Sequence, residues 1–431
     1  MKLYKSPFSK IVFSKKYGFL LFSGNTTTIT KIRLSDFLNI LFKKNNQIFL
    51  QKGILLTENY NNLILRAQSK GYKKSANNNI GITIAPTMNC NFKCGYCFVK
   101  NALKNQVMSK KLIDKIINFI ASKGSRYTIE WFGGEPTLVP DLLEYFYTEA
   151  EKRSLIYDES ILISNGTFEK ENIWDVINNY ITTIQITLDG PESIHDSRRM
   201  TINGSGSFNK IIRNLDILYK KILDGDIKNN LFVDIRCNLD RNNISSYQQI
   251  RNFILYRYNG VFCFTFAKVK NCGIRIYDKN ILSDKEYSKF VLNQYHLFGI
   301  FREPILPLDR TIFQHCRVTN PNSYVFDPLG NIYKCDIDIG DENKIIGNCF
   351  DTKLPSNNTE AKYLFSASKF LPKKCNKCPL LFQCWGGCAH YRIENNMKNI
   401  CKYQKFYFKK YIEFIYEINV LRHTNSKFII I

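Results

Sequence analysis

Six alternations of strand and helix between residues 81 and 270 limit the fold more strongly than any other feature of the chain. Apolar runs predict the strands Ile82–Ala85, Tyr127–Trp131, Ser160–Ile163, Ile184–Leu188, Phe232–Asn238 and Phe262–Val269. Between them, apolar residues three and four positions apart predict the helices Ser109–Ser122, Leu142–Arg153, Phe208–Leu223 and Ser245–Tyr258. Such alternation builds a parallel sheet through right-handed crossovers. Because eight units are needed to close a TIM barrel, six predict an α/β fold with an open, partial (β/α)6 TIM-like barrel.

Three cysteines follow the first predicted strand directly. Cys90, Cys94 and Cys97 have C-x3-C-x2-C spacing, which brings three thiolates to one place and supplies no fourth. A cubane [4Fe–4S] cluster normally takes four cysteine ligands, so three leave one iron with an open coordination position. An open iron binds a small molecule, which indicates an enzyme. The alternative is a structural zinc site, but this would need a second Cys or His pair, and none follows nearby.

Three further motifs begin where predicted strands end. A Gly-Gly-Glu-Pro run starts at Gly133 after the second strand, Ser164-Asn-Gly-Thr follows the third, and Asp189-Gly follows the fourth. The chemistry of parallel α/β folds lies at the carboxyl ends of the strands. These motifs and the cysteine loop (residues 88–98) are therefore predicted to meet at one edge of the sheet.

In this order, the motifs resemble those of the radical S-adenosylmethionine (SAM) superfamily, whose signature is C-x3-C-x-aromatic-C, with Tyr96 in the aromatic position. The resemblance implies that SAM chelates the open iron and is cleaved reductively to a 5′-deoxyadenosyl radical that abstracts hydrogen from the substrate. It also implies a flavodoxin- or ferredoxin-type electron donor, and an Arg199 that pairs with the SAM carboxylate. The SAM-contacting residues that it implies are Gly133, Gly134, Glu135, Pro136, Ser164, Asn165 and Arg199.

Seven cysteines in the last third of the chain are similar in spacing to the SPASM domain, which carries two auxiliary [4Fe–4S] clusters. The resemblance assigns the outer cluster to Cys375, Cys378, Cys384 and Cys401, and the inner cluster to Cys316, Cys335 and Cys388. Three clusters are thus expected, one binding SAM and two auxiliary. The eighth cysteine that family members often place shortly after the first is missing. The inner cluster therefore either keeps an open site or takes Cys349 or Cys272. A zinc ribbon is the alternative for the C-x2-C pair.

Several single residues have both a chemical and a structural interpretation. Asp336 directly follows Cys335, where sulfatase-maturing relatives carry an aspartate that serves as a base; the alternative is a surface acid. His195 and His390 are interpreted as hydrogen-bonded structural residues. Cys237 and Cys263 lie inside predicted strands and are expected to be buried hydrophobic residues.

About eighty residues precede the cysteine loop. Their pattern predicts strands Lys10–Phe13, Gly18–Phe22 and Thr27–Ile32, then helices in Leu34–Lys44 and Glu58–Ser69. This order resembles the winged-helix-like α+β module that recognises leader peptides in peptide maturases, where the peptide adds a strand to a sheet edge. The predicted domains are 1–79 (this module), 80–300 (radical SAM core) and 301–431 (an irregular, cysteine-rich SPASM domain with a C-terminal helix at Phe406–Arg422).

The N-terminal module favours one substrate class over another. We expect a maturase that crosslinks or oxidises a ribosomally made precursor peptide. The alternative is an anaerobic sulfatase-maturing enzyme that makes formylglycine. It is less favoured because such enzymes generally begin close to the cysteine loop, whereas about eighty residues precede the loop here.

Charge and cysteine content bear on partner and compartment. There are 61 Lys and Arg against 37 Asp and Glu, a net charge of +24 that is spread along the chain and is typical of a solvated surface. A zinc-containing nucleic-acid-binding protein would explain the charge and the C-x2-C pair but not the six strand–helix repeats, so no nucleic-acid partner is expected. With no apolar run of ~18 residues and no signal peptide, we expect a cytoplasmic protein. Its fourteen cysteines then argue against a disulfide framework and for metal ligation or redox chemistry.

Overall fold

The structure is a computed structural model that describes residues 4–26, 28–35, 46–76, 80–99, 102–103, 105–228, 230–270, 279–298, 316–351, 358–366, 371–394, 401, 405 and 407–424. Cys272, the segment 77–79 and most of the predicted helix Leu34–Lys44 lie outside these residues. Contacts divide the chain into two compact units. The core unit comprises Asn78–Leu282 and Asn322–Ala361, and the terminal unit comprises Met1–Asn77, Ser283–Pro321 and Lys362–Ile431.

The N-terminal region contains two small antiparallel sheets. Its strands are β1 (Tyr4–Lys5), β2 (Ser9–Ser14), β3 (Gly18–Ser23), β4 (Thr28–Ile32) and β5 (Leu55–Leu56), and its helices are α1 (Asn46–Gln51) and α2 (Tyr60–Ala76). One sheet has the order β2-β3-β4, and β1 pairs with β5 in the other. The three predicted strands and the helix predicted at 58–69 are confirmed. The β1–β5 pair escaped prediction because two-residue strands show no periodicity.

Six parallel strands form the centre of the core unit. They are β6 (Ile80–Ile84), β7 (Arg126–Trp131), β8 (Ile156–Ser164), β9 (Thr183–Thr187), β10 (Phe232–Leu239) and β11 (Cys263–Lys268). Each pairs in parallel with the next along the chain. All six predicted strands are confirmed, and the mainly parallel sheet is consistent with a partial barrel. Cys237 and Cys263 are buried within it, as predicted.

Amphipathic helices connect these strands. They are α3 (Lys110–Lys123), α4 (Pro140–Lys152), α5 (Ile173–Tyr180), α6 (Glu192–Arg198), α7 (Phe208–Leu223) and α8 (Tyr247–Arg257). Helix α3 shows why they form: the Ser109 hydroxyl accepts a hydrogen bond from the Leu112 backbone N–H at its start, and Gly124 follows its last residue. Its apolar face, which includes Ile113 and Ile117, is fully buried, and each such side chain contributes about 1.5–3 kcal/mol to folding.

The last third is more regular than predicted. It contains α9 (Asp284–Phe298), β12 (Ser323–Phe326), β13 (Asn331–Tyr333), β14 (Gly347–Asn348), α10 (Asn358–Leu364), α11 (Leu381–Cys384), α12 (Ala389–Glu394) and α13 (Phe408–Thr424). Strand β12 pairs in parallel with β6, and β13 and β14 extend the same sheet to nine strands. The expectation of an irregular segment is wrong for these strands. All four β12 residues are buried, so their sequence shows no alternation.

Two further outcomes concern the helices and the domain division. The predicted C-terminal helix is confirmed as α13. Contacts assign Ser283–Pro321 to the terminal unit and Asn322–Ala361 to the core unit, a division that differs from the predicted boundary at 300/301. Among the helices of the described part of the chain, none has both the length and the apolarity that a membrane crossing requires.

Candidate functional site

The three thiols of the cysteine loop converge after β6. Burial raises the pKa of Cys90 to about 12, with further contributions from the negative charges of Glu135, Cys94 and Cys97. Burial also raises the pKa of Cys94, against the opposing charge of Arg199. Thiols this close disfavour each other's ionisation, and a bound metal cluster relieves that repulsion because it neutralises the thiolates. The loop therefore suits a cluster better than three free thiols.

Backbone hydrogen bonds fix the cysteine loop against the segment that follows α6. The Lys93 N–H donates to the Met200 carbonyl (2.9 Å), and the Gly95 N–H donates to the Arg198 carbonyl (3.2 Å). The Ile202 N–H in turn donates to the Asn91 carbonyl (2.9 Å). The loop is thus held between β6 and the region after β9, which also carries Arg199.

Two glycines bring the loop after β7 into backbone contact with the cysteine loop. A Cβ on Gly134 would lie 2.2 Å from the Asn89 carbonyl oxygen, and one on Gly133, whose φ is +118°, would lie 2.6 Å from the Thr87 carbonyl oxygen. The Gly134 N–H donates to the latter oxygen (3.0 Å). Only glycine permits this approach, which explains the Gly-Gly pair that the sequence singled out.

The Glu135 carboxylate is buried and accepts four hydrogen bonds from protein donors. Its Oε1 accepts from the Thr137 N–H (3.2 Å), the Thr137 hydroxyl (2.7 Å) and the Ser164 hydroxyl (2.8 Å), and its Oε2 accepts from the Asn165 N–H (2.7 Å). Burial raises its pKa, and these hydrogen bonds oppose the rise. Three of these donors share Oε1, so Oε2, with a single donor, keeps one acceptor position. Glu135 therefore joins the loops after β7 and β8, while the adjacent Pro136 begins a one-turn helix.

A second network joins the β8 loop to the cysteine loop. The Asn165 side-chain amide donates to Asn91 Oδ1 (2.6 Å) and accepts from the Thr167 hydroxyl (2.7 Å). The Asn91 amide donates to the same hydroxyl (2.9 Å). Ser164 and Asn165 thus lie at the strand ends beside the cysteine loop, where the sequence placed them.

The Tyr96 hydroxyl lies between a buried carboxylate and a buried guanidinium. It donates to Asp189 Oδ2 and accepts from Arg199 Nη1 (2.8 Å). Burial lowers the pKa of Arg199, but the electrostatic interactions with Cys94, Tyr96 and Asp189 outweigh it, and the net shift is upward. The Nε of Arg199 is buried and makes no hydrogen bond to any residue that the structure describes.

His195 has a structural role, as predicted. Its Nδ1 accepts from the Asp189 backbone N–H (3.1 Å), so the ring proton resides on Nε2, which donates to the Ser207 hydroxyl (3.0 Å). Burial, with the charges of Arg199 and Arg198, lowers its pKa well below 6.5. The ring is therefore neutral and orients the turn after β9. His390 is also hydrogen-bonded, to the Tyr363 hydroxyl (3.2 Å).

Sequence reasoning missed the residues at the end of β10. Arg198 donates to Asp240, to the Asn238 carbonyl (2.9 Å) and to Asp189 (3.4 Å), and the Asn243 amide donates to the Asp189 carbonyl (2.8 Å). The sequence did contain a sign of these residues. The polar run 240–243 directly follows the fifth strand, and catalytic residues of parallel folds occur at such strand ends.

The four cysteines assigned to the outer cluster lie close together in the terminal unit. Burial raises the pKa of Cys375 to about 11, with contributions from the negative charges of Cys384, Cys378 and Cys401. The Cys378 N–H donates to the Cys375 carbonyl (2.9 Å), and the Lys405 ammonium lies 3.5 Å from the Cys401 sulfur. The set again suits a cluster, since one group neutralises four thiolates.

The residues assigned to the inner cluster are divided between the units. Cys316 and Cys388 are in the terminal unit. Burial lowers the pKa of Arg392 there, and the electrostatic interactions with both cysteines oppose this fall. Cys335 and Cys349 belong to the core unit. Their common cluster, and its fourth ligand, stay predictions. Asp336 is half-buried, and its Oδ1 lies 3.5 Å from the Cys335 sulfur.

A zinc ion and an iron–sulfur cluster need different arrangements of cysteine ligands. The ligands of a mononuclear zinc site all lie within about 2.3 Å of the metal, whereas the thiolates of a cubane bind separate irons and stand further apart. Among the residues described, no three His, Cys, Asp or Glu side chains are placed as ligands of one ion.

Known proteins resemble this chain in both sequence and fold. The family description "Radical SAM superfamily" matches residues 84–236. A cysteine-type anaerobic sulfatase-maturating enzyme of Clostridium perfringens is 23% identical over 364 residues, which are 75% of this chain and 92% of the relative. Native anSMEcpe with bound AdoMet and Cp18Cys peptide has a TM-score of 0.62 at 20% identity, over 80% of this chain and 100% of that one. Streptococcus suis SuiB bound to its precursor peptide SuiA has a TM-score of 0.53 at 16% identity, over 91% of this chain and 97% of that one.

The carboxyl ends of the parallel strands, where α/β enzymes carry their active sites, are flanked here by the cysteine loop and by a buried arginine. Residues 84–236 match the radical SAM superfamily, and the chain is a radical SAM enzyme related to anaerobic sulfatase-maturating enzymes. Its fold is similar to that of SuiB. SAM and a [4Fe–4S] cluster are therefore its cofactors. This assignment replaces the zinc-based nucleic-acid-binding interpretation.

Proposed function

We propose that this enzyme is a maturase that acts on a ribosomally made precursor peptide and forms a crosslink or an oxidised residue. A [4Fe–4S] cluster bound here would supply the electron for reductive cleavage of SAM to methionine and a 5′-deoxyadenosyl radical, and that radical would abstract a hydrogen atom from the peptide. Cys90, Cys94 and Cys97 would hold that cluster. Arg199, with an uncommitted buried N–H, would bind the SAM carboxylate.

The remaining strand-end residues would shape the SAM pocket. Gly133 and Gly134 let the backbone approach the cysteine loop, and their carbonyl groups suit the SAM ammonium, which needs acceptors. The Glu135 carboxylate would hold Ser164 and Asn165 in place through its hydrogen bonds, and the second acceptor position of its Oε2 would be available to the SAM ammonium.

The observation that carries the peptide assignment is the N-terminal module. Its β2-β3-β4 sheet would act as the winged-helix-like reader of a leader peptide. Within the described residues, β2 and β4 each pair only with β3, and Phe13 on β2 is 54% exposed. Unpaired edges accept an added strand. The fold likeness to SuiB extends over 91% of the chain, against 80% for anSMEcpe, which is consistent with a module beyond the shared core.

Two auxiliary [4Fe–4S] clusters would complete the electron path. The outer would be held by Cys375, Cys378, Cys384 and Cys401, and the inner by Cys316, Cys335 and Cys388. The fourth site of the inner cluster would be Cys349, Cys272 or an open position. They would accept the electron that the substrate radical releases when a new bond forms. A flavodoxin- or ferredoxin-type protein would reduce the SAM-binding cluster.

Formylglycine formation is the second candidate. It is favoured by the identity with the sulfatase-maturating relatives and by the half-buried Asp336 beside Cys335, which would take a proton from the substrate.

The test is anaerobic co-expression with short open reading frames from the same gene neighbourhood, followed by mass spectrometry. Loss of two hydrogen atoms from one encoded peptide, dependent on Cys94, supports the maturase. Conversion of a sulfatase-derived peptide to formylglycine, with every precursor peptide unchanged, supports the second candidate. Phe13→Ser should weaken leader binding while SAM cleavage without peptide is unchanged; an unaltered leader affinity would argue against the β2 edge.

A further inference from the structure

The Tyr96 hydroxyl makes hydrogen bonds that an aromatic ring alone could not make. Its hydroxyl donates to Asp189 and accepts from Arg199 Nη1 (2.8 Å) and, more weakly, from the Asn238 amide (3.4 Å). One hydroxyl thus joins the cysteine loop, the end of β9 and the end of β10. A phenylalanine would fill the same space without any of these bonds.

Two side chains hold the Arg199 guanidinium in place, and its Nε–H has no hydrogen-bond acceptor among the described residues. Its guanidinium lies 5.5 Å from the centre of the Phe92 ring, and its Nη1 is taken by Tyr96. The buried Nε has no hydrogen-bond partner among the described residues. An unmade buried hydrogen bond from a charged group costs more than about 1 kcal/mol. An anion that binds beside this N–H therefore gains from it.

The Tyr96 hydroxyl also lies between two opposite charges, those of Asp189 and Arg199. Asp189 is completely buried and lies on one side of Tyr96, with Arg199 on the other. Arginine has a long side chain with several rotatable bonds, and a carboxylate attracts it strongly in a buried setting. Without the hydroxyl, the guanidinium is free to close on Asp189 and turn its Nε away from the site.

We propose that Tyr96 is a positioning residue that keeps Arg199 from pairing with Asp189 and presents its free N–H to a carboxylate bound beside Cys94. This inference rests on the proposed function, in which that carboxylate belongs to SAM. In this scheme the Tyr96 hydroxyl acts on SAM through Arg199 and makes no hydrogen bond to the SAM carboxylate.

The experiment compares Tyr96→Phe, Arg199→Gln and the double variant after anaerobic reconstitution of the full chain with iron and sulfide. SAM affinity per intact cluster is measured by equilibrium dialysis, together with the change that SAM causes in the electron paramagnetic resonance (EPR) spectrum of the reduced cluster. Decarboxylated SAM serves as a probe that lacks the carboxylate. We expect Tyr96→Phe to weaken SAM binding about tenfold, the size of one lost charged hydrogen bond. Binding of the decarboxylated probe should not change.

The double variant shows whether Tyr96 affects SAM binding through Arg199 or independently of it. If Tyr96 acts through Arg199, the double variant binds SAM no more weakly than Arg199→Gln alone. The matched control is Tyr258→Phe, because the Tyr258 hydroxyl also donates to an aspartate, Asp216 (3.1 Å), that pairs with an arginine, Arg257 (2.7 Å). This control should leave SAM affinity unchanged.

Three outcomes would overturn the inference: additive losses in the double variant, an equal loss for the decarboxylated probe, or reduced iron content with unchanged affinity per cluster. The last would make Tyr96 a support of the cluster alone. Failure of the unaltered enzyme to bind SAM is a different result, since it would refute the proposed function itself.

Discussion

At the scale of single residues, the site depends on buried polar groups whose partners come from other strands. Glu135 takes its donors from its own turn and from the β8 end, and Tyr96 takes its partners from the ends of β9 and β10. Each such group is costly if one partner is removed. Substitutions here therefore change both stability and cofactor binding.

Glu135→Gln tests the enclosed carboxylate. The amide nitrogen cannot accept a hydrogen bond, so at least one of the donors from Ser164, Asn165 or Thr137 loses its partner. We expect a loss of about 2–3 kcal/mol in the free energy of unfolding, measured by urea denaturation. The exposed Glu144→Gln should stay within about 0.5 kcal/mol. Equal stability of the two variants would contradict this account of Glu135.

His195 gives a dependence of stability on pH. The folded-state pKa is held well below the ordinary 6.5 by burial and by Arg199 and Arg198. As the pH falls below 6.5, the unfolded chain takes up a proton at this histidine and the folded chain does not, so stability falls by up to about 1.4 kcal/mol per pH unit. We expect His195→Gln to lack this part of the loss between pH 6.5 and 5.5 in urea denaturation. An identical pH slope in both proteins would refute it.

At the scale of elements, the N-terminal module and the C-terminal cysteine segment pack together within the terminal unit. Phe8 contacts the Phe382 ring edge-on at 4.8 Å and belongs to one apolar cluster with Ile64, Cys375 and Trp385. The Gln383 amide donates to the Gly24 carbonyl (3.1 Å). The N-terminal module and the C-terminal cysteine segment thus belong to one compact unit.

Gly24→Ala tests this packing. An added Cβ would lie 1.9 Å from the Pro379 carbonyl oxygen, so the backbone must shift, at a cost of about 1–3 kcal/mol. We expect a lower midpoint of thermal unfolding and less iron in the reconstituted protein. Gly18→Ala in the same sheet meets no atom within 4 Å, and its φ of +78° costs about 1 kcal/mol of backbone strain alone. Equal iron content in both variants would contradict a link between the elements.

At the scale of the whole molecule, the proposed outer cluster should stabilise the N-terminal module, because Cys375 packs with Phe8 and Ile64. We expect Cys378→Ser to increase hydrogen–deuterium exchange in residues 4–26, measured by mass spectrometry. Cys94→Ser, in the core unit, should leave exchange in that segment unchanged. Increased exchange in both variants would mean that the effect is general rather than specific to the outer cluster.

The six parallel strands and the cysteine loop were predictable because both signals are local. A buried strand is readable in a handful of residues, and C-x3-C-x2-C spacing sets how near three thiols come. Strand β12 was not predictable, since its four buried residues carry no alternation. Its partner β6 lies far earlier in the chain, and only packing selects that pairing.

The sequence by itself determined the class of the sheet, the place of the motifs at its strand ends and the superfamily that they indicate. The tertiary structure alone decided that Glu135 is occupied by protein donors and that the Tyr96 hydroxyl lies between Asp189 and Arg199. It also decided that the N-terminal sheet and the outer cysteines share one apolar cluster. The physical reason is that these contacts join residues distant in the chain. Their pairing depends on which surfaces pack together, and no periodicity or local spacing records that choice.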